Sequence, residues 1–321
     1  MSTRPALIGY LGRHPIGLVV LAVVLYSTGP VMAQASEVSG PVFSMWRLWF
    51  GTLVFVVLVA IEWRIRPQRP SRAGIKWTLW AGVAYAGHQL LFFTAIKATS
   101  VADVTLMNTL APILVAVAAV PLFGERPGIT FRLWSLVSIV GAAIVIHAGS
   151  SGPTGNLPGM LMALANVGFF TAFFLLAKVV RGMATVLQFL LGVMIVSSLS
   201  VTGFVMLTES PLQVPGSSDL WLAFAVAVLP GAIGHFAYTW PLSHLPANVP
   251  PLIRLSKPLI ASLLAFALLG ESIGWLHAVG GALAVTGVAG ALLAPTGRAF
   301  LAGAEVDVGE VQGPHPVTPA P

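Results

Sequence analysis

Long apolar runs recur along almost the whole chain and are separated by short polar or turn-rich connections. A helix that crosses a bilayer needs roughly 20 predominantly apolar residues, and each of these runs is close to that length. We therefore predict an all-α integral membrane protein with ten transmembrane helices. The predicted spans are 16–35, 42–61, 75–96, 101–122, 131–149, 158–178, 186–207, 220–241, 250–269 and 273–294.

One stretch, Val249–Glu271, has the sequence VPPLIRLSKPLIASLLAFALLGE and is similar to an earlier part of the chain. Shifting the numbering by 146 places Pro112 on Pro258 and Glu125 on Glu271. A proline and a glutamate that keep their register over a long offset indicate an internal repeat.

The offset of 146 covers five predicted spans. Because five is odd, we predict two five-helix repeats of opposite orientation in the bilayer, at 10–149 and 156–294. Inverted repeats are typical of secondary transporters, whose substrate sites lie near the bilayer midplane between the halves. The remaining residues, 295–321, are rich in Pro, Gly and Ala, and we expect them to form a disordered cytoplasmic tail.

The composition is 57% hydrophobic and 8% charged, which excludes an ordinary soluble domain. A net charge of +6 suggests nucleic-acid binding, but twelve of the sixteen Lys and Arg residues fall on one side if the N-terminus is cytoplasmic. The basic residues therefore indicate orientation: both termini in the cytoplasm, in a bacterial-type inner membrane, with no nucleic-acid partner. Alternatively, the first span is a secretory signal cleaved after Ala33, which would break the symmetry of the repeats.

Two cations, Arg254 and Lys257, lie within the ninth span. A central Arg or Lys costs about 3 kcal/mol on insertion scales, and residues three apart share a helix face. If that face lines a cavity, it would attract a carboxylate or phosphate. The alternative is that Arg254 extends to the headgroups.

Two prolines are expected to break helices in the two repeats. A helical proline leaves the carbonyl four residues earlier without its usual partner. Pro112 would free the carbonyl of Asn108, and Pro258 would free that of Arg254. We expect these polar groups to face the protein interior or a wet cavity, although a tolerated kink is an equally simple interpretation.

Histidines occur near the midplane of both repeats, one residue out of register. His88 and His235 each follow a glycine, and Tyr238 and Trp240 flank the second histidine. Such a histidine could change charge in a proton-coupled cycle, and the aromatic residues could line a pocket. Hydrogen bonding and packing in the core are the alternative roles.

Several kinds of site are absent from the sequence. We find no carboxylate in the middle of a predicted helix, which disfavours efflux of cationic drugs. There is no cysteine, HExxH motif or phosphate-binding loop, so we expect neither a metal nor a cofactor, and not an enzyme. Small residues in the tenth span, Gly280, Ala284, Gly287 and Ala291, would serve as scaffold or as the contact of a homodimer.

The chain resembles the drug/metabolite transporter superfamily, in its EamA-type ten-helix branch. The resemblance lies in NTLAPILVAVAAVPLFGERP from Asn108, in RLSKPLIASLLAFALLGES from Arg254 and in MWRLWFGTL of the second span. It implies a basket in which helices 3, 4, 8 and 9 surround a cavity while helices 5 and 10 are peripheral. Cavity candidates are then Asn108, His88, His235, Arg254 and Lys257.

The segment RLSK before Pro258 departs from that family pattern and favours an anionic or zwitterionic substrate. We therefore expect a secondary-active transporter of small metabolites that exports amino acids or related carboxylates by alternating access. A membrane-embedded enzyme and a non-transporting scaffold are the alternatives from other classes. The chain has no ATPase motif, so an ion or substrate gradient would drive transport.

Overall fold

The computed structural model describes residues 15–65, 67–123, 128–151, 156–180, 183–209, 213–239 and 253–295. Within these ranges the chain forms helices and turns and no β-strand. The uninterrupted helices are α1 Pro15–Ala35, α2 Gly40–Ile65, α3 Arg72–Ala98, α5 Ile129–Ser151, α6 Leu157–Val180, α7 Val186–Thr208, α9 Lys257–Leu269 and α10 Trp275–Leu293. Trp240 and residues 296–321 of the predicted tail lie outside the described residues.

Helix α4 is interrupted near its middle. It consists of the α-helical segments Val101–Met107 and Ala111–Phe123, joined by the 3₁₀ turn Asn108–Leu110. In that turn the Ala111 N–H donates to the Asn108 carbonyl. The expectation that Pro112 leaves this carbonyl unpaired is therefore wrong, because a tighter i→i+3 hydrogen bond replaces the one that the proline cannot donate.

Helix α8 changes its winding halfway along. It begins as the α-helix Ser217–Val226, continues as a π-helical segment over Ala227–Gly234 that contains Pro230, and ends as the α-helix His235–Thr239. Widened turns of this kind are frequent at functional sites. The two repeats therefore break their helical regularity in different ways.

Helix α9 is shorter than the predicted span 250–269, of which 250–252 lie outside the described residues. A turn with a hydrogen bond from Ser256 N–H to the Ile253 carbonyl, 3.0 Å long, precedes the helix. Pro258 then stands in the first turn of α9, where its missing N–H costs nothing. Arg254 lies before the helix and Lys257 is its first residue, so the expectation that they share a face of one continuous helix is wrong.

Among the described residues, eight helices are long and apolar enough to cross a membrane. The two remaining apolar helices are shorter: the Val101–Val115 part of α4, and α9. Many large apolar side chains on the helices are exposed, among them Leu53, Val57 and Leu207, as expected for a surface that contacts lipid tails.

Helices α5 and α10 pack against each other closely enough to require glycine. A Cβ atom on Gly141 would lie 2.4 Å from the backbone nitrogen of Ala284, and one on Gly287 would lie 2.4 Å from that of Ser138. The Ser138 hydroxyl also donates to the Ala284 carbonyl at 2.9 Å. The small residues of α10 therefore serve as scaffold within one chain.

The other helices pack around the middle of the bundle. Helix α1 packs against α8 and α9, α3 against α6 and α7, and α4 against α6 and α9. The connections α1–α2, α3–α4 and α9–α10 and the end of α7 lie at one end, which we call the α1–α2 end. There Lys97 Nζ donates to the Gln34 carbonyl, the Ser39 hydroxyl donates to Glu209, and the Val101 N–H donates to Glu271. Side chains on α1, α3, α4, α6, α8 and α9 can therefore meet between the two repeats.

Candidate functional site

The guanidinium of Arg254 points between three helices. Its Cζ lies 5.7 Å from the ring centroid of Tyr26 in α1, 5.8 Å from that of Tyr238 in α8 and 6.0 Å from that of Phe170 in α6. The side chain of Arg254 is nevertheless exposed. It therefore borders the accessible space between α1, α6 and α8, which we call the cleft, and it makes cation–π contacts with the aromatic faces there.

Lys257 continues the same cleft toward α3. Its Nζ lies 5.8 Å from the ring centroid of Phe92. Its backbone carbonyl accepts a hydrogen bond from the Ser27 hydroxyl of α1 at 3.3 Å. This bond attaches the first residue of α9 to α1 and thereby positions both the lysine and the preceding Arg254.

Arg47 in α2 is a third cation and the most buried of the three, with 8% of its surface exposed. One guanidinium nitrogen, Nη1, donates to the Tyr85 hydroxyl at 3.2 Å and to Gln89 Oε1 at 2.9 Å, both in α3. Its Nε has no hydrogen-bond partner among the described residues. The packing of α2 against α3 therefore buries this residue between helices.

These three cations lack a carboxylate partner within the described part of the chain. The described carboxylates that make contacts do so near helix ends. Those contacts join Glu62 to Thr185, Asp103 to His277, Glu209 to Ser39, Asp219 to the Glu37 N–H, and Glu271 to the Val101 N–H. Within the described residues, the contacts of these three cations are therefore with neutral dipoles and aromatic rings.

A chain of buried polar side chains joins α3, α6 and α4. The Nδ1 atom of His88 is hydrogen-bonded to Asn166 Oδ1. Asn166 Nδ2 donates to Asn108 Oδ1 at 2.9 Å, and Asn108 Nδ2 donates to the Val104 carbonyl at 2.9 Å. Asn166 is fully buried and was missed by the sequence analysis, although an asparagine inside the apolar run 158–178 is a visible signal.

Aromatic rings surround His88 and connect it to the cations. Its ring centroid lies 5.0 Å from that of Phe170, 5.6 Å from that of Tyr85 and 5.9 Å from that of Phe92. Phe170 also contacts Arg254, and Phe92 also contacts Lys257. Each of these two phenylalanines therefore lies against both the histidine and one cation.

His235 stands at the end of the π-helical segment of α8. Its ring packs edge-on against Tyr26, with centroids 5.5 Å apart, and its Nδ1 lies 3.4 Å from the Pro230 carbonyl. Tyr26 in turn contacts Tyr238, at a centroid distance of 6.1 Å. The second histidine therefore belongs to the aromatic group around Arg254.

At the α1–α2 end, Glu271 caps helix α4. Its carboxylate oxygens accept from the Val101 N–H at 3.1 and 3.3 Å, and the Ser100 hydroxyl accepts from the Asp103 N–H at 3.0 Å. Burial raises the pKa of Glu271 above its usual range, against the effect of the Val101 hydrogen bond. The Asp103 side chain faces His277 of α10, whose Nε2 lies 3.0 Å from Oδ1.

The chain matches a family of known proteins along most of its length. The EamA-like transporter family model matches residues 14–147 and 157–293. An uncharacterized transporter of Bacillus subtilis (strain 168), YwfM, is 25% identical over 265 residues, which are 82% of this chain and 88% of that protein. An uncharacterized transporter of Archaeoglobus fulgidus is 23% identical over 279 residues, or 86% of this chain and 95% of that protein.

A solved crystal structure shares the fold. It superposes with a TM-score of 0.60 at 18% identity and covers 88% of this chain and 98% of its own. The double family match and the helical structure confirm the predicted all-α membrane protein built from two repeats, and they confirm the resemblance seen in the sequence. The chain belongs to the EamA-like transporter family and is a multi-pass membrane transporter of small molecules.

Proposed function

We propose that this protein is a secondary-active exporter of amino acids or related carboxylates that works by alternating access. The observation that carries this proposal is the set of three cations between the helices, the buried Arg47, the half-buried Lys257 and the exposed Arg254, without a carboxylate partner among the described residues. Removing a cation from water costs several kcal/mol unless an opposite charge compensates for it. A substrate carboxylate would supply that charge.

The depth of these cations supports a binding site inside the membrane. Arg47 lies seven residues into α2, or about 10 Å from the α1–α2 end, at a rise of about 1.5 Å per residue. Lys257 lies twelve residues before Leu269, the last residue of α9, and so about 18 Å from the α1–α2 end. A carboxylate bound to them would sit at the depth where inverted-repeat transporters hold their substrates.

The repeats supply the moving parts in this proposal. Residues 10–149 and 156–294 would rock against each other around the bound substrate and open the cleft to each side in turn. We place both termini in the cytoplasm of a bacterial-type inner membrane, with a substrate or ion gradient as the driving force. A homodimer is also part of the proposal, and it would use a face other than the small-residue stripe of α10.

Counterflow in proteoliposomes tests the anion site. Vesicles are loaded with unlabelled amino acids or organic anions, and uptake of the labelled compounds is followed for the wild type, Arg254→Ala and Lys257→Ala. We expect each variant to reduce exchange by about tenfold or more, because each removes a charge-assisted contact. Lys76→Ala is the matched control, since Lys76 is an exposed cation near the start of α3, whereas Phe92, which contacts Lys257, lies toward the other end of that helix.

Two results would count against the proposal. Full exchange by both Arg254→Ala and Lys257→Ala would remove the anion site. Selective exchange of lipophilic cations by the wild type would point to a different substrate class. Thermal unfolding of each variant in detergent shows whether a loss of exchange reflects a loss of folding.

A further inference from the structure

The hydrogen bonds around His88 run in one direction only. The Val104 carbonyl can only accept, so the Asn108 amide must direct its NH₂ group toward it and its oxygen toward Asn166. Asn166 must then donate to Asn108 and present its own oxygen to His88. The Nδ1 atom of His88 therefore carries the proton, and this assignment follows from a backbone acceptor that cannot be inverted.

With Nδ1 protonated, the neutral imidazole carries a lone pair on Nε2. Nε2 makes no hydrogen bond to any residue in the described ranges, and the side chain of His88 is only partly buried. Tyr85 contacts both His88 and Arg47, and Phe92 contacts both His88 and Lys257. A doubly protonated His88 ring would therefore add a third positive charge near these two cations. His88 is thus built as a hydrogen-bond acceptor in a region otherwise rich in donors.

We propose that Nε2 of His88 accepts a hydrogen bond from the ammonium group of the substrate and thereby selects zwitterions, such as α-amino acids, over simple carboxylates. The inference rests on the proposed function, since it assumes that Arg254 and Lys257 hold the carboxylate. It adds a specificity-determining residue and narrows the substrate class.

Two phenylalanine rings each border both His88 and one of the cations. The ring of Phe170 lies 5.0 Å from the His88 ring and 6.0 Å from Arg254 Cζ. The ring of Phe92 lies 5.9 Å from the His88 ring and 5.8 Å from Lys257 Nζ. A carboxylate at the cations and an ammonium at His88 would therefore lie across these two rings, whose faces also attract an ammonium group.

Asn166 is a positioning residue in this scheme. It touches no substrate, but its oxygen keeps the proton on Nδ1 and so keeps the lone pair on Nε2. Because Asn166 is fully buried and tied to α4 through Asn108, the ring of His88 is also held in one orientation. Replacing Asn166 should allow the proton of His88 to occupy either ring nitrogen, while the imidazole itself remains in place.

Paired substrate mixtures test the inference. Counterflow is measured with a labelled mixture of the twenty protein amino acids and, separately, with the matched mixture of their des-amino carboxylates. We expect the wild type to exchange the amino acids at least about tenfold faster, because a site built around a hydrogen bond rejects a ligand that cannot make it. His88→Leu should reduce that ratio to near unity, and His88→Gln, which can place an amide oxygen near Nε2, should retain part of it.

The outcomes separate this inference from the proposed function. Equal exchange of both mixtures by the wild type overturns the selection of zwitterions and leaves carboxylate export intact. Exchange of neither mixture overturns the proposed function and this inference with it. An unchanged ratio in His88→Leu overturns the role of His88. Because the ratio is measured within each variant, differences in expression do not affect it.

Nitrogen NMR of histidine-labelled protein provides a readout that needs no variant to transport. His88, assigned by its absence from the spectrum of His88→Gln, should show a protonated Nδ1 and an unprotonated Nε2 in the wild type. Asn166→Leu should shift the ring to a mixture of tautomers and reduce the substrate ratio. A protonated Nε2 in the wild type would overturn the inference.

Discussion

The side-chain oxygens of Thr52 in α2 and Ser198 in α7 lie 2.9 Å apart, and the two residues are separated by 146 positions in the sequence. This separation is the offset that aligns the two repeats. Residues that occupy equivalent positions in the repeats and touch each other must lie on the pseudo-two-fold axis that relates them. Ser138 and Ala284 have the same separation and also touch, so the axis passes between α5 and α10 as well.

The Thr52–Ser198 contact predicts that removing the Thr52 hydroxyl and removing the Ser198 hydroxyl will destabilise the protein by different amounts. The Thr52 hydroxyl donates to the Leu48 carbonyl at 2.9 Å, so Ser198 must be the donor between the two hydroxyls. Thr52→Val leaves the buried Ser198 hydroxyl unpaired and should cost about 1 kcal/mol, whereas Ser198→Ala should cost less. Equilibrium unfolding in mixed micelles measures both, and equal costs would contradict this assignment of the donor.

The close contact between α5 and α10 predicts that alanine is not tolerated at Gly287. Its Cβ would meet the backbone of Ser138, which cannot move aside without separating the helices. We expect Gly287→Ala to reduce the free energy of unfolding by about 1–3 kcal/mol. Gly203→Ala in α7 is the control, because nothing lies within 4 Å of the added Cβ. It should be neutral or stabilising by up to about 1 kcal/mol. Similar losses at both glycines would contradict the prediction.

Glu271 predicts a pH dependence of stability. Burial raises the pKa of this carboxyl in the folded protein, so the folded state binds the proton more tightly than the unfolded state does. The stabilisation is fully present below the unfolded pKa of about 4.3 and is lost as the pH rises through the folded pKa.

The measurement compares the thermal unfolding midpoints of wild type and Glu271→Gln across this pH range. The glutamine keeps an oxygen that can accept from the Val101 N–H but does not titrate. The unfolding midpoint of the glutamine variant should therefore increase relative to that of the wild type as the pH rises. A difference that is constant with pH would show that the carboxyl does not titrate differently on folding.

Arg47 predicts a separation of stability from transport. Arg47→Met removes a buried charge, which favours folding, and also removes the hydrogen bonds to Tyr85 and Gln89, which disfavours it. We expect the free energy of unfolding to change by less than about 1 kcal/mol, because these two effects oppose each other. Counterflow should decrease by at least about tenfold, since a charge-assisted contact is lost.

Arg64→Met is the control for this experiment, because Arg64 is an exposed arginine at the other end of α2. It should leave both stability and exchange unchanged. A loss of several kcal/mol in Arg47→Met with normal exchange would assign Arg47 a purely structural role.

The helices could be predicted from the sequence because a bilayer requires long apolar runs. The predicted span 42–61 lies within α2, Gly40–Ile65, and 131–149 lies within α5, Ile129–Ser151. The positions of the breaks in α4 and before α9 also followed from proline chemistry, whereas the widened turn of α8 at Pro230 was not predicted. The form of the two predicted breaks did not follow, because Pro112 follows a 3₁₀ turn inside α4, whereas Pro258 stands in the first turn of α9.

The site was harder to predict because its contacts join distant parts of the chain. Asn166 contacts residues 58 and 78 positions away in the sequence, so no pattern within its own helix reports its partners. Arg47 was visible as a charge in a span, but only the packing of α2 against α3 places it beside Tyr85 and Gln89. Sequence periodicity indicates which face of a helix is buried, but it does not indicate which other helix packs against that face.

The π-helical segment of α8 explains a small irregularity in the repeat. Pro112 and Pro258 are 146 positions apart, whereas Gly87 and Gly234 are 147 apart. A π-helical turn accommodates one inserted residue without breaking the helix. The side chains after it then point in the same directions as they would without the insertion. An alignment of the two halves therefore needs a one-residue gap within 227–234 to place His88 on His235, and a compensating gap between His235 and Pro258 to restore the offset of 146.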